Sequence, residues 1–325
     1  MKLIGIDELN GILVGTDSKM VKPAISKITL ARQSSTTMTE PRIRTVQCIS
    51  PAGLHTMAYK EWGEARNPKV LVCVHGVTRV SDDFDSLARE LCRDYRVVCP
   101  DVVGRGRSGR LRNPMFYQIP QYVSDMVTLL ARLDAETVHW FGTSMGGLIG
   151  MGLASQQDSP IRRLVLNDIG PALNFAALGR IGEYMGQEVK FDTFEQAENY
   201  IRTISAPFGP HTDAQWRKLA ADVLRQDTDG KWIRHYDPGL AVPLKGGSAE
   251  STRQAETLLW AAYDAIACPT MVVRGADSDL LTQAVAAEMT VRGPKAKLVE
   301  IIGTGHAPTF VTAAQIELAK EFLLA

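Results

Sequence analysis

The segment VHWFGTSMGGLIGMGLA, residues 138–154, is the most informative part of the chain. An apolar run, Val138–Phe141, leads into Gly142-Thr143-Ser144-Met145-Gly146, and a helix-like stretch follows. A G-x-S-x-G pattern between a strand and a helix is typical of a nucleophile elbow, a tight turn that holds the serine hydroxyl above a sheet edge. The flanking positions need glycine, because a Cβ atom there would strike a neighbouring strand or helix. The segment therefore predicts an α/β protein with Ser144 as a nucleophile.

Strand-like and helix-like segments alternate on both sides of this elbow. A strand pair is predicted at 44–49 and 56–62, and further apolar strands at 69–74, 96–99, 163–167, 270–274 and 297–302. Helical spacing of apolar residues occurs at 81–93, 118–133 and 312–324. Such alternation predicts a mostly parallel central sheet with helices on both faces.

The regular alternation covers only part of the chain. Residues 1–40 contain scattered glycines and a polar tract, and we expect an N-terminal extension with little structure. Residues 41–171 and 258–325 are predicted to form the core domain. Residues 172–257 combine helical patches with many aromatic side chains, which indicates an insertion into that core. The sequence leaves open whether residues 1–40 belong to the native folded protein.

Composition excludes several classes of function. Lys and Arg total 36 and Asp and Glu total 36, so no basic surface for nucleic acid or anionic lipid is indicated. The local cluster Arg105, Arg107, Arg110 and Arg112 is interpreted as a solvated loop. No apolar run is long enough to span a bilayer, and the N-terminus does not resemble a secretory signal. We expect a small-molecule substrate and no nucleic-acid partner.

The five cysteines, Cys48, Cys73, Cys92, Cys99 and Cys268, suggest neither a disulfide framework nor a zinc site. Their number is odd, and no pair has C-x-x-C spacing. Reduced thiols are the default in the cytosol, so a cytoplasmic location is expected. We expect no metal and no organic cofactor.

A serine nucleophile requires a base, and the base requires an acid that orients it. His306 lies in a glycine-flanked loop directly after the strand 297–302, as expected of the base. The acid is less clearly marked. Asp279 follows the strand 270–274 and is favoured by the usual chain order, whereas Asp168 ends the strand after the elbow and is the alternative.

An oxyanion hole needs two backbone N–H groups directed at the developing negative charge. The first is expected from Met145, which follows the nucleophile and opens a helix whose dipole favours an anion. The second is expected from Val77, in the loop after an early strand. We expect His75 to brace that loop without transferring protons.

These motifs together resemble those of the α/β-hydrolase superfamily over about residues 45–325. The shared segments are His75-Gly76, Asp101–Ser108, Gly142–Gly147, Asn167–Pro171, Arg274-Gly275 with Ser278-Asp279, and Gly305–Pro308. The resemblance implies Ser144 as nucleophile, His306 as base and Asp279 as acid. It also implies Val77 and Met145 as oxyanion donors, and a helical cap at 172–257. One departure is that many relatives place the acid where this chain has Ser278, and some use the position of Asp168.

The leading hypothesis is hydrolysis of a carboxylic ester of a small, partly apolar substrate through an acyl-enzyme. Relatives that attack with aspartate, such as haloalkane dehalogenases, are excluded by the serine elbow. A thioester, a lactone or a carbon–carbon bond beside a carbonyl are alternatives within the same chemistry. A cofactor-free perhydrolase or haloperoxidase, or a ligand-binding protein with vestigial hydrolysis, also fits. The sequence determines neither the natural substrate nor the oligomeric state.

Overall fold

A central eight-stranded sheet organises the chain in the computed structural model, which describes residues 40–172, 174–243 and 249–325. Its strands are β1 (Arg42–Ser50), β2 (Gly53–Trp62), β3 (Val70–Val74), β4 (Arg96–Pro100), β5 (Val138–Thr143), β6 (Ile161–Asn167), β9 (Thr270–Gly275) and β10 (Lys297–Ile301). They lie in the order β1-β2-β4-β3-β5-β6-β9-β10. The first two pairings are antiparallel and the other five are parallel. The predicted mostly parallel sheet is confirmed.

Helices follow most of the parallel strands. They are α1 (Asp85–Leu91), α2 (Ile119–Leu133), α3 (Met145–Ala154), α4 (Phe175–Met185), α5 (Phe194–Ile204), α6 (Asp213–Val223), α7 (Ala249–Asp264), α8 (Gln283–Met289) and α9 (Ala313–Leu324). A short hairpin of β7 (Leu224–Gln226) and β8 (Trp232–Arg234) stands apart from the large sheet. The helix expected at 81–93 begins as a 3₁₀ turn, Ser81–Phe84, before α1.

The sheet is covered by an apolar layer on each face. Trp140 packs in the layer that includes side chains of α2 and α3, and its neighbour Phe141 packs in the opposite layer with side chains of α1 and α9. Successive residues of a strand point to opposite faces, so a strand covered on both sides must be apolar throughout. All five residues of β3 are buried, as that geometry requires. The chain is therefore a three-layer α/β structure.

The parallel strands direct their carboxyl ends to one edge of the sheet. The segments that leave this edge follow β3, β4, β5, β6, β9 and β10, and they begin near residues 75, 101, 144, 168, 276 and 302. In open parallel sheets, ligand sites usually lie outside the carboxyl ends of the strands. The candidate residues from the sequence all come from these segments.

A separate group of elements lies between β6 and β9. Helices α4 to α6 and the β7–β8 hairpin occupy most of it, and α5 and α6 share a small apolar cluster with the hairpin. The predicted end of the insertion, residue 257, falls inside α7, whose Trp260 and Tyr263 pack in the main core. Residues 1–39, which carry the expectation of an N-terminal extension, lie outside the described residues.

Candidate active site

Ser144 lies at the turn between β5 and α3, in a backbone conformation that residues with a side chain seldom adopt. Its φ is 51° and its ψ is −117°. The turn depends on its two glycines. A Cβ on Gly142 would lie 2.3 Å from the Gly146 carbonyl oxygen, and one on Gly146 would lie 2.0 Å from the Val74 carbonyl oxygen. These backbone contacts cannot move aside, so the predicted G-x-S-x-G geometry is present in the structure.

His306 joins Ser144 to a carboxylate. Its Nε2 lies 2.9 Å from Ser144 Oγ, and its Nδ1 lies 2.7 Å from Asp168 Oδ2. A carboxylate only accepts hydrogen bonds, so Nδ1 carries the proton and Nε2 is left to accept from the serine hydroxyl. We call Ser144, His306 and Asp168 the hydrogen-bonded trio. Its arrangement lets the imidazole remove the proton from Ser144 as the oxygen attacks a carbonyl carbon.

Asp168 is fully buried and its carboxylate is held by groups from the end of β9. The Gly275 N–H donates to Oδ1 over 2.8 Å, and the Ser278 hydroxyl donates to Oδ2 over 2.6 Å. Ser278, at the position where many relatives place the acid, thus supports a carboxylate on the neighbouring strand. Together with His306, three donors surround the carboxylate and fix its orientation.

Asp279, the acid favoured from the sequence, does not contact His306 in the structure. Its side chain is 47% exposed and forms an ion pair with Arg180 of α4. That guanidinium lowers the pKa of Asp279 below its ordinary value. The preference based on chain order therefore requires correction, and the alternative Asp168 occupies the position beside the imidazole. After β9 the Ser278 side chain turns inward to Asp168, and the next side chain turns outward.

The two expected oxyanion donors are on neighbouring loops. Val77 and Ser144 border one cavity, and a Cβ on Gly76 would lie 3.7 Å from Ser144 Cβ, so the loop after β3 passes close to the nucleophile. Within the part of the chain that the structure describes, the N–H groups of Val77 and Met145 donate no hydrogen bond to protein acceptors. Their role as oxyanion donors stays a prediction.

His75 braces the loop after β3, as expected. Its Nδ1 donates to the Gly76 carbonyl over 2.7 Å, and its Nε2 accepts from the Val102 N–H over 2.9 Å. Burial lowers the pKa of His75 to about 4, so the ring is neutral at neutral pH. Because each nitrogen already has a partner, His75 has a structural task in positioning the loop.

Arg105 was interpreted as part of a solvated loop, and the structure shows that this was wrong. Its side chain is 1% exposed. Its Nε donates to the Val77 carbonyl over 2.9 Å, and one terminal nitrogen lies 3.2 Å from Met145 Sδ. The guanidinium therefore contacts both residues that carry the expected oxyanion donors. Its position between two glycines of the Asp101–Ser108 motif was the sequence signal that could have revealed it.

A cavity opens in front of the hydrogen-bonded trio. Its floor contains Ser144 and His306, and much of its wall comes from the elements between β6 and β9. The apolar wall residues from that region include Ile181, Ile201, Ile204, Phe208, Leu219 and Val223. A cavity whose wall combines these apolar side chains with polar and charged ones suits a small, partly apolar substrate.

Among the described residues, one group could offer three metal ligands, namely Cys48, His55 and Asp125. These residues lie on β1, β2 and α2, and His55 Nε2 is 2.9 Å from Asp125 Oδ2. Burial raises the pKa of the Cys48 thiol to about 12. A thiol must lose its proton to bind a metal, so this environment opposes metal binding.

Comparison with known proteins identifies the family. A family model described as the alpha/beta hydrolase fold matches residues 69–312. The chain belongs to the α/β-hydrolase family. The matched region contains the whole hydrogen-bonded trio and extends from the end of the β2–β3 connection to the start of α9.

Relatives and solved structures agree with this assignment. The chain is 58% identical over 285 residues to a 3-hydroxybutyrate-oligomer hydrolase of Cupriavidus necator, covering 87% of this chain and 97% of that protein. A putative hydrolase from Rickettsia typhi matches with TM-score 0.80 and 30% identity, covering 87% of this chain and 99% of that one. An alpha/beta hydrolase from Novosphingobium aromaticivorans matches with TM-score 0.77 and 34% identity, covering 88% and 98%. The predicted fold class and the prediction of a hydrolase acting on ester bonds are confirmed.

None of the helices in the described ranges is both long and apolar enough to cross a bilayer.

Proposed function

We propose that this protein hydrolyses the ester bonds of short 3-hydroxybutyrate oligomers through an acyl-enzyme on Ser144. The position of His306 between the serine hydroxyl and the Asp168 carboxylate is the observation that carries the proposal. The relative with 58% identity, named a 3-hydroxybutyrate-oligomer hydrolase, supports the substrate class. The apolar cavity wall supports it too, because each unit of such an oligomer has a methyl branch beside its ester bond.

The proposed reaction has two halves. Ser144 Oγ attacks the ester carbonyl as His306 Nε2 takes its proton, and the oxyanion receives hydrogen bonds from the Val77 and Met145 N–H groups. The tetrahedral intermediate collapses, the alcohol half leaves with the proton from His306, and the acyl group remains on Ser144. Water then gives a proton to His306 and attacks the acyl carbonyl, and His306 passes that proton to Ser144 Oγ as the acid is released. Asp168 accepts a hydrogen bond from Nδ1 throughout, so Nε2 is the nitrogen that takes and returns the proton.

We further propose that the elements between β6 and β9, within the predicted insertion 172–257, act as a lid over this reaction. Tyr184, Ile201 and Phe208 of this region border the cavity, and Arg180 forms an ion pair with Asp279 across to the core. A lid that excludes water strengthens the hydrogen bonds to the oxyanion. A cytoplasmic location is a further proposal, supported by five cysteines that all remain free thiols.

The Ser144→Ala variant tests the proposed mechanism. We expect no turnover of p-nitrophenyl butyrate or of the 3-hydroxybutyrate dimer, and no labelling by a fluorophosphonate probe. Ser155→Ala, at the end of the same helix α3, is the matched control and should retain both properties. A ligand-binding protein would not label at Ser144, and labelling of the Ser144→Ala variant would overturn the assignment of the nucleophile.

A further inference from the structure

Three arginines line the cavity in front of Ser144, and two of them are neutralised. Arg79 forms two hydrogen bonds with the Asp83 carboxylate, at 2.6 and 2.8 Å. Arg180 forms an ion pair with Asp279. Arg234 differs, because within the described residues no carboxylate lies within ion-pair distance of its guanidinium. The cavity therefore contains one cation without a counter-ion.

The Arg234 guanidinium is held in place by neutral groups. Arg234 ends β8 and is 7% exposed. One terminal nitrogen donates to the Tyr184 carbonyl over 2.8 Å, and the other donates to the Gln187 carbonyl. The rings of Tyr236 and Tyr200 lie 4.9 and 5.8 Å from its central carbon. These contacts fix the orientation of the side chain while leaving its charge uncompensated.

Donors also remain for a ligand. A guanidinium has five N–H groups. The carbonyls of Tyr184 and Gln187 use two, and the Tyr200 hydroxyl, 3.4 Å from a terminal nitrogen, uses a third. The Nε N–H donates to no described protein acceptor. Nε is also not fully enclosed, because it is not one of the enclosed polar atoms that lack a partner. An oriented cation with unused donors beside a cavity is the arrangement that binds a carboxylate with charge-assisted hydrogen bonds.

We propose that Arg234 binds the free carboxylate of the substrate, so that the enzyme selects acidic esters over neutral ones. This inference rests on the proposed function. A 3-hydroxybutyrate oligomer carries one carboxylate, at one end of the chain, and that group belongs to the alcohol half of the terminal ester bond. An anchor for this carboxylate in the cavity that Ser144 also borders directs cleavage to the acid end of short oligomers. Binding of the carboxylate also offsets the free-energy cost of burying an uncompensated cation, because the ligand supplies the missing negative charge.

The test compares two substrates that differ only in charge. The 3-hydroxybutyrate dimer and its primary carboxamide each contain one ester bond, and only the dimer is anionic. Hydrogen bonds to charged groups are worth enough for a preference of about 10- to 100-fold in kcat/KM for the acid. In Arg234→Gln we expect this ratio to fall to near one, mainly through a higher KM for the acid. Arg234→Lys keeps the charge without the fork and should retain part of the ratio.

Arg180→Gln is the matched control, because Arg180 lines the same cavity but is already paired. It should preserve the preference for the acid. General damage to the lid would lower kcat/KM for both substrates together and leave their ratio unchanged. If Arg234→Gln gives that result, the proposal is contradicted. Equal rates for acid and amide in the wild type, or loss of the ratio in Arg180→Gln alone, would also overturn it.

The proposed function and the anchor fail in different ways. If the wild type cleaves p-nitrophenyl butyrate but neither dimer, the oligomer assignment is wrong. The anchor is then tested with the butyrate ester of 4-hydroxybenzoic acid against the butyrate ester of 4-hydroxybenzamide, in the same variants, because this acid also carries its carboxylate on the alcohol half. A preference for the acid that depends on Arg234 would support the anchor, and its absence would refute it.

Discussion

Replacing Asp168 by asparagine tests which carboxylate orients His306. The new amide has only one favourable orientation. Its oxygen must face the Gly275 N–H, because an NH₂ group there would oppose another donor, whereas the Ser278 hydroxyl can donate or accept. The NH₂ group is then directed at His306 Nδ1. The imidazole must accept at Nδ1 and carry its proton on Nε2, so it can no longer take the proton from Ser144.

The expected loss follows from this wrong tautomer. An asparagine at the acid position of a serine triad lowers kcat by about 10,000-fold. This corresponds to about 5 kcal/mol of transition-state stabilisation. Asp279→Asn should instead stay within about threefold of the wild type, because an exposed ion pair such as Asp279 with Arg180 contributes little. Burst and steady-state rates with p-nitrophenyl butyrate measure both effects, and thermal unfolding checks that each variant is folded.

The reasoning would be refuted by either of two results. One is that Asp168→Asn, shown to be folded, keeps more than about a tenth of the wild-type kcat. The other is that Asp279→Asn loses as much activity as Asp168→Asn, which would mean that the loop after β9 rearranges and brings Asp279 to the imidazole when substrate binds.

Two further predictions concern the groups that support the oxyanion donors. Arg105→Met should lower kcat by about 10- to 100-fold with little change in KM, because the segments of Val77 and Met145 lose their shared contact. If Arg105 had a purely structural role, the variant would have a lower melting temperature and an unchanged kcat per folded molecule. Burial lowers the pKa of His75 to about 4, from an ordinary value of 6.5. Between these two values the unfolded chain takes up a proton at His75 and the folded protein does not. The free energy of unfolding therefore decreases as the pH is lowered from 6.5 to 4, by up to about 3 kcal/mol. Urea unfolding across this range should show a smaller pH dependence in His75→Asn, and an equal dependence in both proteins would contradict the assignment.

Much of the architecture is readable from local patterns. The strands of the core are apolar because both faces of the sheet are covered, and β3 and β5 are recognisable for that reason. The elbow is equally local, since its two glycines contact backbone atoms within a few residues or on the adjacent strand. His306 was found from its place in a glycine-flanked loop after the last strand, and the structure brings its imidazole to Ser144.

Distinctions between side chains at the sheet edge depend on the packing of several segments. Asp168 and Asp279 both follow strands whose ends meet near the imidazole, and the spacing along the chain does not show which one turns inward. The Gly275 N–H and the Ser278 hydroxyl hold Asp168 beside the imidazole, and both come from the end of β9, whereas Asp168 follows β6. Chain order carries no information about such contacts.

Chain order also carries no information about which arginines have a counter-ion. Four arginines near the site have the same side chain, and only their surroundings show which are ion-paired and which have no counter-ion. They are Arg79, Arg105, Arg180 and Arg234. The amino-acid sequence by itself therefore specified the sheet, the elbow and the histidine, because each arises from contacts between near neighbours or from a repeating apolar pattern. The acid, the support of the oxyanion donors and the unpaired cation required the folded chain, because each depends on contacts between segments distant in the sequence or on a partner being absent.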